Sequence, residues 1–282
     1  MVYRALVFAV LLTACGGERP LPSPRFDAEA PAKPTRIVSL DFCADQYVLK
    51  LVDRSNILAL SPEAVMAHSY LRDEAGDLPS VRPLAEDAIA LQPDLIVRSY
   101  GGGPNAESFF EQAGIPVLTV GWAGDFDAIK AVTRDMAAGL GQPERGAVLV
   151  AEIDARLAAL PAQATGEDKS VLYMTPTGVT TGAGSLIDEL LDVAGLTNFE
   201  TRAGWHALPL ERLTSEQPDL VAASFFDSTA LSHNIWSAAR HPVARQQMTS
   251  LPTAELAGAW TACGAWFALD AAEALARGGT TP

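Results

Sequence analysis

Four histidines, His68, His206, His233 and His241, are the first residues whose chemistry could be decisive, since neutral imidazole is a common metal ligand. None stands four residues from another and no His-Cys cluster occurs, so the spacing of a helical zinc site is missing. His233 and His241 are eight apart and could share a face. No serine sits in a Gly-x-Ser-x-Gly turn that would expose a nucleophile. Residues 175–184, Thr-Pro-Thr-Gly-Val-Thr-Thr-Gly-Ala-Gly, could cradle an anion with backbone N–H groups. No Gly-Lys-Ser/Thr follows, and the spacing is not Gly-x-Gly-x-x-Gly, so the run reads as a tight turn between strand and helix. No catalytic residue and no metal ligand is assigned, and enzymatic activity is not expected.

The aromatic residues carry a more specific signal. Phe42, Tyr100, Trp122, Trp205, Phe226 and Trp260 fall at expected strand ends or in strand-to-helix loops. Ligands of open α/β sheets bind beyond the carboxyl ends of the strands, where such rings present flat apolar faces to a large ligand. Phe225 and Trp266 are of the same type, and for these core packing is expected. Arg98 and Arg202 are the nearest arginines, so a densely anionic ligand finds few partners there.

Two segments repeat one another. Residues 84–97 and 210–221 each place a glutamate, Glu86 and Glu211, seven positions before a Pro-Asp-Leu and an apolar run. Each predicts a short helix with the glutamate in its first turn, ended by the proline, and then a buried strand. So wide a separation is not a solenoid period, and it predicts two similar lobes, each exposing one glutamate at an equivalent place. The plainer alternative is two ordinary α/β segments, since Pro-Asp before a strand is common.

The elements that must position these residues alternate between strand and helix. Strands are expected at 36–40, 57–60, 95–98 and 115–120, with Asp41 capping a helix after the first. Residues 126–140 and 143–160 read as consecutive helices; in the second, Val148, Leu149, Ile153, Leu157 and Leu160 recur at helical spacing behind Pro143. The pattern restarts with a strand at 171–174, a helix at 185–194 and a strand at 220–223. A helix near Ile235, a short segment at Glu255 and Leu256, and a last helix at 266–276 complete it. The fold class is α/β: two Rossmann-like lobes with mainly parallel sheets, joined by a single long α-helix. The expected divisions are a signal peptide at 1–15, a tether at 16–34, a first lobe at 35–141, a connecting helix at 142–162 and a second lobe at 163–282.

With 282 residues, 49% of them hydrophobic, the chain can build one large domain or two ordinary ones. Twenty Lys and Arg against 34 Asp and Glu give a net charge of −14, which argues against nucleic acid or an anionic lipid surface as partner. Arg4 and the apolar run 5–12 suit a secretory signal and are too short for a bilayer, which needs about 20 residues. Leu12-Thr13-Ala14-Cys15 resembles the bacterial lipobox, which would make Cys15 the lipidated first residue of the mature chain. A plain signal peptide cut nearby is the alternative. The remaining cysteines, Cys43 and Cys263, are expected to pair in an exported chain, with two buried free thiols as the alternative.

Together these features resemble the substrate-binding proteins of ABC importers for cobalamin and ferric siderophores, whose two α/β lobes are joined by one rigid helix. The resemblance spans residues 36–276 and is carried by residues 84–97, 210–221 and Ile115-Pro116-Val117. It implies that Glu86 and Glu211 form salt bridges with arginines on the two subunits of a permease dimer, which suits a two-fold-related partner. It also implies an exported protein on the periplasmic face of the envelope, held to the membrane by its lipid anchor alone. No cofactor is implied, because the metal chelate is the ligand. Trp205 matches a tryptophan that the cobalamin binder carries six residues before its second-lobe glutamate, while Ser80 stands at the first-lobe counterpart. The expected ligand is a corrinoid, with a ferric siderophore or haem as the alternative. A metal-dependent enzyme or a sensor lipoprotein on the same scaffold are alternatives of another class.

Overall fold

The computed structural model describes residues 33–162, 164, 168–225 and 237–278. Cys15, Phe226, His233 and the expected helix near Ile235 lie outside these residues.

The first lobe opens with strand β1 (Ile37–Ser39), whose β-branched Ile37 and Val38 suit a strand covered on both faces. Asp41 then caps helix α1 (Phe42–Leu51) by accepting the Ala44 N–H. Strand β2 (Ile57–Ala59), helices α2 (Arg72–Ala75) and α3 (Ala85–Ala90), strand β3 (Leu95–Arg98), helix α4 (Ala106–Gln112) and strand β4 (Val117–Thr119) follow. The four strands are parallel, in the order β2-β1-β3-β4. Helices α5 (Phe126–Gly139) and α6 (Pro143–Ala159) come next, and α6, with a proline in its first turn, leads into the second lobe.

The second lobe contains β5 (Ser170–Met174), β6 (Val179–Thr181), α7 (Leu186–Val193), β7 (Thr197–Asn198), β8 (Trp205–Ala207) and β9 (Leu220–Phe225). After these come α8 (Pro242–Ser250), β10 (Thr253–Ala257), α9 (Gly258–Thr261) and α10 (Ala268–Ala276). Its parallel sheet runs β7-β5-β9-β10, the same order as in the first lobe.

The repeated Pro-Asp-Leu does equivalent work in both lobes. Asp94 accepts the N–H groups of Thr35 and Arg36, each at 2.9 Å, and Asp219 accepts the N–H and hydroxyl of Ser170, also at 2.9 Å. Each aspartate thereby ties the start of one strand to the start of its neighbour. That fixes Ile37 opposite Leu95 and Val171 opposite Leu220.

The copies diverge at their glutamates. Glu86 lies in the first turn of α3 as expected, but Glu211 precedes only a single 3-10 turn, Arg212–Thr214. There the hydroxyls of Thr214 and Ser215 donate to the carbonyls of Glu211 and Arg212, which an α-helix would need for its own ladder. The glycine-rich run is not a simple turn either. It contains β6, which pairs antiparallel with β8 and so places Trp205 on a strand rather than in a loop.

One apolar core runs through both lobes, from Ile37 and Val97 through Ile129 and Ile153 to Tyr173 and Leu269. Separate clusters around Phe110 and Leu213 cover the opposite sheet faces. The junction is tied further by a disulfide between Cys43 and Cys263, 220 residues apart. Tyr70 stacks on Phe267 at 4.6 Å and donates to Asp270 at 2.7 Å, while Arg156 of α6 bonds both Asp270 and Glu273. Gly264 approaches the Ala123 carbonyl so closely that a Cβ would collide with it. Trp266 packs in this core, as expected.

Candidate ligand-binding site

The first-lobe rim is built beyond the carboxyl ends of β1, β2 and β3. Fully buried Asp41 accepts the N–H groups of Ser99, Tyr100 and Gly101 at 2.6–3.0 Å and the Ser99 hydroxyl at 2.7 Å. Gly101 is required there, since a Cβ would run into the Leu40 carbonyl. The loop holds half-exposed Tyr100 so that its phenol donates to Glu63 at 2.9 Å. Burial, and then the bond to Glu63, push the Tyr100 phenol well above its ordinary pKa, so it stays a neutral donor. His68 Nε2 lies 3.7 Å from the other Glu63 oxygen. The Phe42 ring stands edge-on to His68 at 4.7 Å and to Tyr100 at 6.1 Å. Tyr100 and His68 thus share the Glu63 carboxylate, with the Phe42 ring edge-on to both.

On the second lobe, Trp205 is 58% exposed, with its ring 6.2 Å from buried Tyr173. Trp122 is 87% exposed and lines a cavity of about 740 Å³ between the lobes, with Asp125 on one side and Ser185, Asp188 and Glu200 on the other. Trp260 is half-buried against the common core, three residues before Cys263, so the disulfide brings its segment to that of Phe42. The structure therefore groups Phe42 with Tyr100, sets Trp205 edge-on to buried Tyr173, and leaves Trp122 on the inter-lobe cavity.

The two arginines nearest the expected loops are engaged internally. Arg98 is buried and donates to the Gly101 and Gly103 carbonyls at 2.6 and 3.1 Å. Arg202 pairs with Glu200 and holds its carboxyl down at about 2. A different basic wall exists: Arg240 and Arg245, with Met174, Thr175, Pro176 and Met248, line a cavity of about 560 Å³ at the carboxyl end of β5. No local spacing announces it, because the arginines belong to a 3-10 turn and to α8, far from β5 in sequence. Glu63 was equally silent, although Ser61-Pro62-Glu63 has the form of a capped turn with proline at its first position.

Glu86 and Glu211 are both exposed, and neighbouring arginines are paired elsewhere, Arg82 with Asp87 and Arg212 with Glu216. Among the described residues, no group of three or more His, Cys, Asp and Glu side chains is placed to hold a metal ion.

The chain belongs to the periplasmic binding protein family, whose profile matches residues 50–226. Its fold is similar to a periplasmic haem-binding protein from Pseudomonas aeruginosa, at 21% identity and a TM-score of 0.67 over 88% of this chain and 96% of that one. It is similar to the haem-binding protein RhuT from Roseiflexus sp. RS-1, at 22% identity and a TM-score of 0.68 over 86% and 96% of the two chains. HutB of Vibrio cholerae, also a periplasmic haem-binding protein, gives 18% identity and a TM-score of 0.67 over 86% and 97%. At such identities the likeness is one of fold. No curated protein sequence matches the chain.

Proposed function

We propose that this chain is the substrate-binding component of an ABC importer, which captures a haem-type metal chelate with both lobes and delivers it to a permease. The observation that carries the reading is exposed aromatic surface on each lobe, Tyr100 beside Phe42 on the first and Trp205 on the second. Flat rings of this kind suit a flat macrocycle. Arg245, on the wall of the cavity at the carboxyl end of β5, favours a ligand that carries carboxylates, as haem does, over the amides of a corrinoid. The three proteins similar in fold are each described as haem-binding, which supports the same choice. Within the first rim, His68 is a nitrogen donor suited to a chelated iron. A corrinoid is the second reading, favoured by Trp205 six residues before Glu211. Lipidation at Cys15, a periplasmic position and permease contacts through Glu86 and Glu211 belong to the same proposal.

Titration of the soluble chain that begins after Cys15 with hemin, followed in the Soret band, should show saturable one-to-one binding with a Kd below about 1 μM. Saturable binding of cobalamin but not hemin would transfer the site to the corrinoid reading. Binding of neither would remove both. For delivery, Glu86→Ala combined with Glu211→Ala should abolish cellular uptake and leave hemin affinity intact, and undiminished uptake would refute the docking role.

A further inference from the structure

The first turns of α1 carry Asp41, Asp45 and Gln46, each at most 1% exposed. Each reaches a different segment of the rim. Asp41 holds loop residues 99–101 through the bonds described above. Asp45 accepts the Ser61 N–H at 3.1 Å and the Ser61 hydroxyl at 2.6 Å, and that hydroxyl oxygen accepts the Glu63 N–H at 3.2 Å. Gln46 donates to the Ser69 hydroxyl at 2.9 Å and accepts the Leu71 N–H at 2.8 Å, fixing the chain just after His68. Because Tyr100 donates to Glu63, these bonds close into a circuit. It runs from α1 through Asp41 to the Tyr100 loop, across the phenol to Glu63, and back through Ser61 and Asp45 to α1. Buried carboxyl groups are costly unless their oxygens are hydrogen-bonded. These two satisfy that need with the very segments that carry the rim.

We propose that Asp41 and Asp45 are positioning residues for ligand capture, which hold Tyr100 and Glu63 in their binding geometry before the ligand arrives. The first-lobe rim then acts as a preformed face, and little ordering is left to be done on binding. This inference rests on the reading of that rim as the chelate site.

The test has a ligand-bound and a ligand-free arm. Hemin affinity is measured for the wild type, Ser61→Ala, Tyr100→Phe and the double variant. Ser61→Ala cuts the circuit between Asp45 and Glu63, and Tyr100→Phe cuts it between the phenol and Glu63 while keeping the ring. Each single change should weaken binding by about three- to tenfold, and the double variant should be no weaker than the worse single one. Losses that multiply in the double variant would overturn the circuit. Without ligand, amide hydrogen exchange at Tyr100 and Gly101 should quicken by about tenfold or more in Asp41→Asn, and to a lesser degree in the milder Ser99→Ala. Exchange unchanged in both variants would overturn the positioning role whatever the ligand is. If the wild type binds no hemin yet exchange quickens as stated, the haem reading fails and the positioning of Tyr100 and Glu63 stands.

Discussion

Asp45 is displaced far from ordinary carboxylate behaviour. Burial raises its pKa from 3.8 to about 7, against the opposing pull of its bonds to Ser61. Between those two values the folded chain holds a proton that the unfolded chain has released. The stability linked to Asp45 is therefore full below the unfolded pKa and is lost as pH rises through the folded one. The unfolding free energy of the wild type relative to Asp45→Asn should fall by up to about 1.4 kcal/mol per pH unit across this window and level off above it. Urea unfolding at stepped pH measures this, and a flat difference from pH 4 to 8 would contradict the raised pKa. The Asp41 cap and the core position of Trp266 were legible in the sequence because each follows from local pattern. Asp45, Glu63 and Arg240 were not, because their roles depend on partners brought close only by folding. Asp45 meets Ser61 across 16 positions, and Tyr100 meets Glu63 across 37.

At the scale of elements, the alternation of strand and helix was readable from apolar runs broken by proline and glycine. The duplicated Pro-Asp-Leu also announced the repeated architecture, though not the reason for it. Asp94 and Asp219 pin the strands of each lobe in register, and bonds from Ser170 hold the Asp219 carboxyl below its usual range. Asp94→Ala and Asp219→Ala should each cost about 1 kcal/mol of stability in urea unfolding and leave hemin affinity unchanged. A neutral result at one of them would break the equivalence of the two lobes. Two elements escaped the sequence reading. The segment after Glu211 has the helical spacing of its partner, yet its hydroxyls compete for the carbonyls. The strand carrying Trp205 is short and pairs with residues inside a glycine-rich run, so neither half of that antiparallel pair signals itself alone.

For the whole molecule, the connecting helix was the one link between lobes visible as periodicity, and the cysteine pair was visible as arithmetic. Both are joined by contacts that only the fold reveals: Tyr70 and Arg156 meeting on Asp270, and Gly264 against Ala123. Replacing Cys43 and Cys263 with serine should therefore lower stability by about 2–5 kcal/mol, since a long loop is freed in the unfolded chain. Solution scattering should show the lobes still in place, and an expanded particle would mean that the disulfide alone holds them. The central claim is that one ligand is gripped from both lobes. The measurement that tests it most directly is hemin affinity in the wild type, Tyr100→Ala and Trp205→Ala. The account predicts saturable binding by the wild type and a loss of about 1–3 kcal/mol in each variant. Affinity untouched by either change would contradict it.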